Sequence, residues 1–167
     1  MSEEPIKRRT RTADEAYAAL ARLCARAEKS SGDARRLMRT WGVPESEREG
    51  VLRRLLNERF IDDNRYAAAF VRDKIALSGW GPYKIRTALA AKGVAREIID
   101  EALSECDRAK MDDRLDTMLR RKFSTLREGT PFERRAKLMR YGLSLGYDYS
   151  SVTDYVESIV KDVDEEE

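Results

Sequence analysis

The side chains that most often carry catalysis are almost missing from this chain. It has no histidine, and its two cysteines, Cys24 and Cys106, lie 82 positions apart. Imidazole acid/base chemistry and triad catalysis are therefore closed to it, as is an ordinary structural zinc site. No GxxxxGK[ST], GxGxxG or GxSxG occurs. The expectation is a protein that is not an enzyme, with no catalytic residue, no cofactor and no metal. The cysteines are expected to be buried free thiols of a reducing compartment.

What remains is the chemistry of binding, carried by cations and aromatic rings. Arg65, Arg72 and Lys74 fall on one predicted helix and Lys84 and Arg86 on the next, so they could converge on a single partner-binding surface. For each of them a solvated polar face is the alternative. Trp80, in the turn Ser78-Gly79-Trp80-Gly81-Pro82, is either a lid over the core or an exposed anchor, since large aromatics are enriched at binding hot spots. A second set comprises Arg120, Arg121 and Lys122 with Arg134, Arg135 and Lys137, in a stretch from Asp107 to Tyr147 that holds eleven bases and six acids. That density suits phosphate oxygens, giving weak, electrostatic contact with single- or double-stranded DNA. An acidic protein surface or a merely soluble exterior would account for it equally.

Helices must position these groups. The chain is rich in Ala, Leu, Glu, Lys and Arg and has no Gln, a composition that favours helix and excludes a mostly β fold. Thr12-Ala13-Asp14-Glu15 and Thr130-Pro131-Phe132-Glu133 fit capping boxes, the second with Pro at the first helical position. Tyr66 and Phe70 fall on an apolar face, and Asp62 and Asp63 read as a helix N-cap and a favourable dipole charge, or as a salt bridge to a partner. Helix-ending glycines recur at Gly42, Gly93 and Gly146, 51 and 53 residues apart. A period near 50 marks a tandem array. The expected fold is all-α, an elongated array of three three-helix repeats: a flexible basic arm at 1–11, repeats at 12–61, 62–106 and 107–161, and an acidic tail at 162–167.

The formal net charge of +2 is a sum of separated parts. Through Tyr147 the chain has 32 basic and 23 acidic residues; from Asp148 onward it has one base and eight acids. No apolar run approaches the roughly 20 residues of a membrane span, and the first eleven residues lack the apolar stretch of a signal peptide. A cytoplasmic monomer that does not bind membranes is expected.

The run from Phe60 through Asp62-Asp63-Asn64-Arg65-Tyr66-Ala67 to Arg72, with Trp80-Gly81-Pro82-Tyr83-Lys84-Ile85-Arg86 and Leu89-Ala90-Ala91-Lys92-Gly93-Val94, resembles the central repeat of the RecX regulatory proteins. The pattern is an Asp-Asp before an Arg-(Tyr/Phe)-Ala helix, a Gly-Pro turn, an Ile-Arg pair, and a Leu before a (Lys/Arg)-Gly corner. The resemblance is strong over 55–103, and the three-repeat layout extends it to about 13–160. It departs at Gly142, where the middle repeat has Leu89. The resemblance implies a modulator, mostly an inhibitor, of the RecA recombinase that lodges in the helical groove of the RecA filament. The alternative is a helical DNA-binding protein that acts independently of RecA.

Overall fold

A computed structural model describes residues 9–164, with side chains through Lys161. The described residues form nine helices and no strand: α1 (Ala13–Arg26), α2 (Ser31–Thr40), α3 (Glu45–Asn57), α4 (Asp63–Ser78), α5 (Pro82–Ala91), α6 (Arg96–Ser104), α7 (Arg108–Thr125), α8 (Pro131–Ser144) and α9 (Tyr149–Asp164). The fold is all-α, in tandem three-helix sets. Residues 1–8 of the expected basic arm, and the side chains of the expected acidic tail, lie outside the described residues.

Local chemistry sets the helix starts. Thr12 and Glu15 form a capping box on α1, and Thr130 and Glu133 form one on α8, with Pro131 in its first turn. A third box, Ser30 with Asp33, opens α2. Asp62 accepts from the Arg65 N–H at 3.0 Å and so caps α4. The corner glycines Gly42, Gly93 and Gly146 have φ of 68°, 76° and 95°, the left-handed region that a helix-ending glycine enters without Cβ strain.

By contact the chain divides into two compact units, residues through Tyr66 together with Lys92–Ala95, and Ala67–Ala91 together with Arg96 onward. In the first unit α3 packs on both α1 and α2. Leu20, Met38, Leu52, Leu55 and Ile61 form its core, each at most 1% exposed. In the second, α7, α8 and α9 pack mutually around Leu115, Leu119, Leu138, Val152 and Val156, while α5 packs on α6. Each such fully buried side chain is worth about 2 kcal/mol of transfer free energy. Tyr66 is buried as the periodicity predicts, whereas Phe70 is half-buried. The departure at Gly142 also has a reason: a Cβ there would lie 2.6 Å from Val152 Cγ1, so α9 fills the space that a side chain would need.

One packing arrangement occurs twice, once in each unit. In the first, the opening turn of α2 meets the corner at Lys92-Gly93. Ser30 Oγ donates to the Lys92 carbonyl at 2.7 Å, and a Cβ on Gly32 would lie 2.1 Å from that carbonyl oxygen. Asp63 joins this junction by accepting the Ser31 N–H at 2.8 Å, so it caps α2 across 32 residues. Asp33, 5% exposed, sits beside Arg36 and Lys92. Burial alone would raise its carboxyl pKa, but the Ser30 N–H and the two cations outweigh burial and hold it below the ordinary value.

In the second unit, the opening turn of α5 meets the corner at Leu145-Gly146. Gly81 N–H donates to the Leu145 carbonyl at 2.7 Å, and Tyr83 N–H to the Gly146 carbonyl at 3.0 Å. A Cβ on Gly81 would lie 2.6 Å from the Gly146 backbone. The corner at Gly42 has a different cover. Thr10 Cγ2 would lie 2.7 Å from a Cβ there, and Arg11 N–H donates to the Trp41 carbonyl at 2.9 Å.

Backbone cannot move aside as a flexible side chain can, so Gly32→Ala should cost about 2 kcal/mol in urea denaturation, as for an overpacked site. Gly50 lies inside α3 with nothing within 4 Å of its position for a Cβ. Gly50→Ala should therefore raise stability by up to about 1 kcal/mol; equal effects at the two positions would remove the steric account.

Candidate partner and nucleic-acid interfaces

The turn after α4 builds an aromatic seat with two cations on it. Gly79, at φ 66°, ends the helix, and a Cβ there would crowd Met118 of α7 at 2.9 Å. Trp80 N–H donates back to the Lys74 carbonyl at 3.0 Å, which fixes where the indole begins. The indole then meets Phe70 edge to face at 6.3 Å. Lys74 Nζ stands 4.5 Å and Lys84 Nζ 4.6 Å from the indole centroid, and Lys84 also donates to the Ser144 carbonyl at 3.4 Å. Among the described residues neither ammonium has a carboxylate partner within 4 Å. Each cation–π contact contributes about 0.5–1 kcal/mol at such a partly exposed site. Trp80 is half-buried, so it packs on Phe70 and also presents an edge to solvent.

The other cations expected to join this surface are placed elsewhere. Arg65 belongs to the first compact unit, where its Nε meets Glu28 at 2.6 Å and its Nη2 reaches the Arg59 and Phe60 carbonyls at 3.3 and 3.4 Å. The hydrogen bond to Glu28 pushes the guanidinium pKa up. Arg59 is, among the described residues, the non-glycine residue with positive φ, 58°, so Arg65 holds the carbonyl of a left-handed helix end. Arg86 is ion-paired with Asp100, which Arg96 also approaches. Arg72 is exposed and stands 3.5 Å from Asp73, lining a groove with Val71, Ile75, Cys106 and Lys110. The structure thus brings together Lys74, Trp80 and Lys84.

The second set is also divided. Arg120 Nε sits 3.0 Å from both oxygens of Asp116, and Arg135 is 2.7 Å from Glu157. Lys122 lies 5.5 Å from the Tyr141 ring centre and Arg134 5.9 Å from that of Phe123. Arg121 and Lys137 are exposed.

The cysteines differ from expectation. Both are free but half-buried, because Cys24 lies at the edge of the first core and Cys106 lines a groove after α6. Burial pushes both thiols up, aided by Glu28 at Cys24 and Asp107 at Cys106. Raised thiols are poor nucleophiles at neutral pH. No group of three or more His, Cys, Asp or Glu among the described residues could hold a metal ion. No helix among them is long and apolar enough to cross a membrane.

Sequence reasoning missed two features. Phe132 and Tyr149 are 76% and 69% exposed and line one groove with Arg135 and Arg140. Arg11, Arg22 and Arg26 surround Trp41. The spacing of Arg22 and Arg26 on one helix was visible in the sequence, but the return of Arg11 to Trp41 was not.

These features define a helical-repeat protein whose distinctive groups are cations on aromatic rings. The family profile for RecX, second three-helix domain, matches residues 62–103, the segment that contains Lys74, Trp80 and Lys84. The regulatory protein RecX of Pseudomonas fluorescens is 34% identical over 131 residues, 78% of this chain and 83% of that protein. The regulatory protein RecX of Clostridium botulinum is 35% identical over 103 residues, 60% of this chain and 48% of that protein. The chain thus spans about half the length of the Clostridium botulinum relative. A crystal structure of regulatory protein RecX superposes with a TM-score of 0.78 at 25% identity, covering 90% of this chain and 71% of that one. The RecX of Lactobacillus salivarius shares the fold, with a TM-score of 0.75 at 19% identity over 91% and 96% of the two chains. The chain belongs to the RecX family of regulatory proteins.

Two ammonium groups beside one indole should concentrate anions there. With Trp41→Phe leaving Trp80 as the one indole, iodide should quench its emission more strongly than it does in a further Lys74→Ala/Lys84→Ala variant. Neutral acrylamide should not show that loss; identical iodide quenching in both proteins would mean the ammonium groups are not held at the ring.

Proposed function

We propose that this chain regulates the RecA recombinase by binding in the helical groove of the RecA nucleoprotein filament and slowing its ATPase and strand exchange, and with them recombination and DNA repair. It acts by binding rather than by catalysis, as a cytoplasmic monomer. The observation that carries this reading is the coincidence of the family match at 62–103 with the Lys74–Trp80–Lys84 cluster. An aromatic flanked by cations that have no carboxylate partner suits a hot spot on an anionic protein surface. Bridging adjacent filament subunits would oppose the movements that ATP turnover requires.

Direct DNA contact is weak and electrostatic in this reading, with Arg121 and Lys137 as the exposed cations of the third repeat. Action on DNA independent of RecA is the less favoured reading. Arg120 and Arg135 are already paired with carboxylates, which lowers the charge available to phosphate.

Substoichiometric protein should slow DNA-dependent ATP hydrolysis by RecA, and Lys74→Glu/Lys84→Glu should raise the concentration required by at least about tenfold, as hot-spot loss implies. Unchanged hydrolysis at several-fold excess over RecA subunits would refute the regulatory reading. A fully active charge-reversed variant would instead move the contact away from Trp80.

A further inference from the structure

We propose that Arg11, Arg22 and Arg26, gathered around Trp41 in the first compact unit, form a site for the phosphodiester backbone of single-stranded nucleic acid. The three guanidinium side chains line one groove with Leu23 and Trp41. Arg11 is fixed there twice, by its N–H donated to the Trp41 carbonyl at 2.9 Å and by its guanidinium 4.0 Å from the Trp41 ring centre. Arg22 and Arg26 are four residues apart on α1 and exposed, so they share a face. Like charges at that spacing disfavour a helix, and among the described residues none of the three arginines has a carboxylate within ion-pair distance. The nearby acid Glu15 faces Arg9 at 3.5 Å.

Convergent cations without a carboxylate call for an anion from outside. The fork of a guanidinium matches a phosphate oxygen pair. Four residues of helix advance about 6 Å, close to the step between successive phosphates of one strand, so Arg22 and Arg26 address neighbouring phosphates. The Arg11 guanidinium stands over one face of the Trp41 ring, which favours phosphate over base as the group recognised. The site lies outside the segment matched by the RecX profile, and it is tested without RecA, so its failure and the failure of the filament reading are separable.

The test uses the full chain carrying Trp80→Phe, in which Trp41 is the one remaining indole of two. A fluorescein-labelled oligothymidylate is titrated over a series of salt concentrations, following both its anisotropy and Trp41 emission. Trp41 emission should change on binding. Arg22→Ala/Arg26→Ala should weaken binding at low salt by at least tenfold and lower the slope of log affinity against log salt by about 1.4, two phosphates at about 0.7 each. Arg22→Lys/Arg26→Lys, with charge kept, should retain the slope. Binding with silent Trp41, or an alanine variant with unchanged slope, would overturn the proposal by putting any DNA contact elsewhere. Competition by poly-glutamate as effective as that of oligothymidylate at equal charge would also overturn it, in favour of an acidic protein partner.

Discussion

Gly32 and Gly81 each face backbone at a distance that no Cβ can occupy, and the starts of α2 and α5 depend on that close approach. The first turn of a helix leaves its N–H groups without partners inside the helix. At α5 the partners are the carbonyls of Leu145 and Gly146; at α2 they are Asp63, Asp33 and Ser30, with Ser30 Oγ in turn tied to the Lys92 carbonyl. In both, a left-handed glycine turns the acceptor corner toward a glycine at the start of the donor helix. Corner geometry, burial and hydrogen bonding are thus satisfied by one arrangement, and the spacing of Gly42, Gly93 and Gly146 is its trace in the sequence. Thr10 and Arg11 cover the first corner.

That dependence explains which parts of the fold were legible beforehand. Capping boxes at Thr12 and Thr130 and the glycine corners are local codes, readable within four or five residues. The apolar faces of α1, α3, α7 and α9 follow a period that a single helix reveals. Asp63 was readable only in part: its place at the start of α4 was clear, but its acceptance of the Ser31 N–H joins residues that no local pattern connects. No local pattern marks Gly32 as a packing position, and Gly142 is a departure from the repeat. Both are positions where a neighbouring element occupies the space of a side chain.

The candidate surfaces show the same division. Sequence identified the cations but not their partners, because an ion pair such as Arg65 with Glu28 joins the first turn of α4 to the segment after α1, 37 residues away. Two of the charges expected to face a partner meet groups of this chain: Arg65 reaches the carbonyls of a left-handed helix end, and Arg86 pairs with Asp100. Cations gathered on rings are left to act outward, among them Lys74 and Lys84 on Trp80 and Arg11 on Trp41. An aromatic ring orients a cation without neutralising it, as a carboxylate would. A balanced total charge of +2 therefore coexists with locally unbalanced positive sites.

Native-state hydrogen exchange of the Gly81 and Tyr83 amides tests the central claim most directly. N-terminal amides of an isolated helix lack helical partners and exchange rapidly. Here both should be protected to the same degree as Ile85 and Leu89 inside α5, and Gly146→Ala should remove that protection while the interior of α7 keeps its own. Rapid exchange of Gly81 and Tyr83 in the unaltered protein would contradict the docking of α5 on the glycine corner.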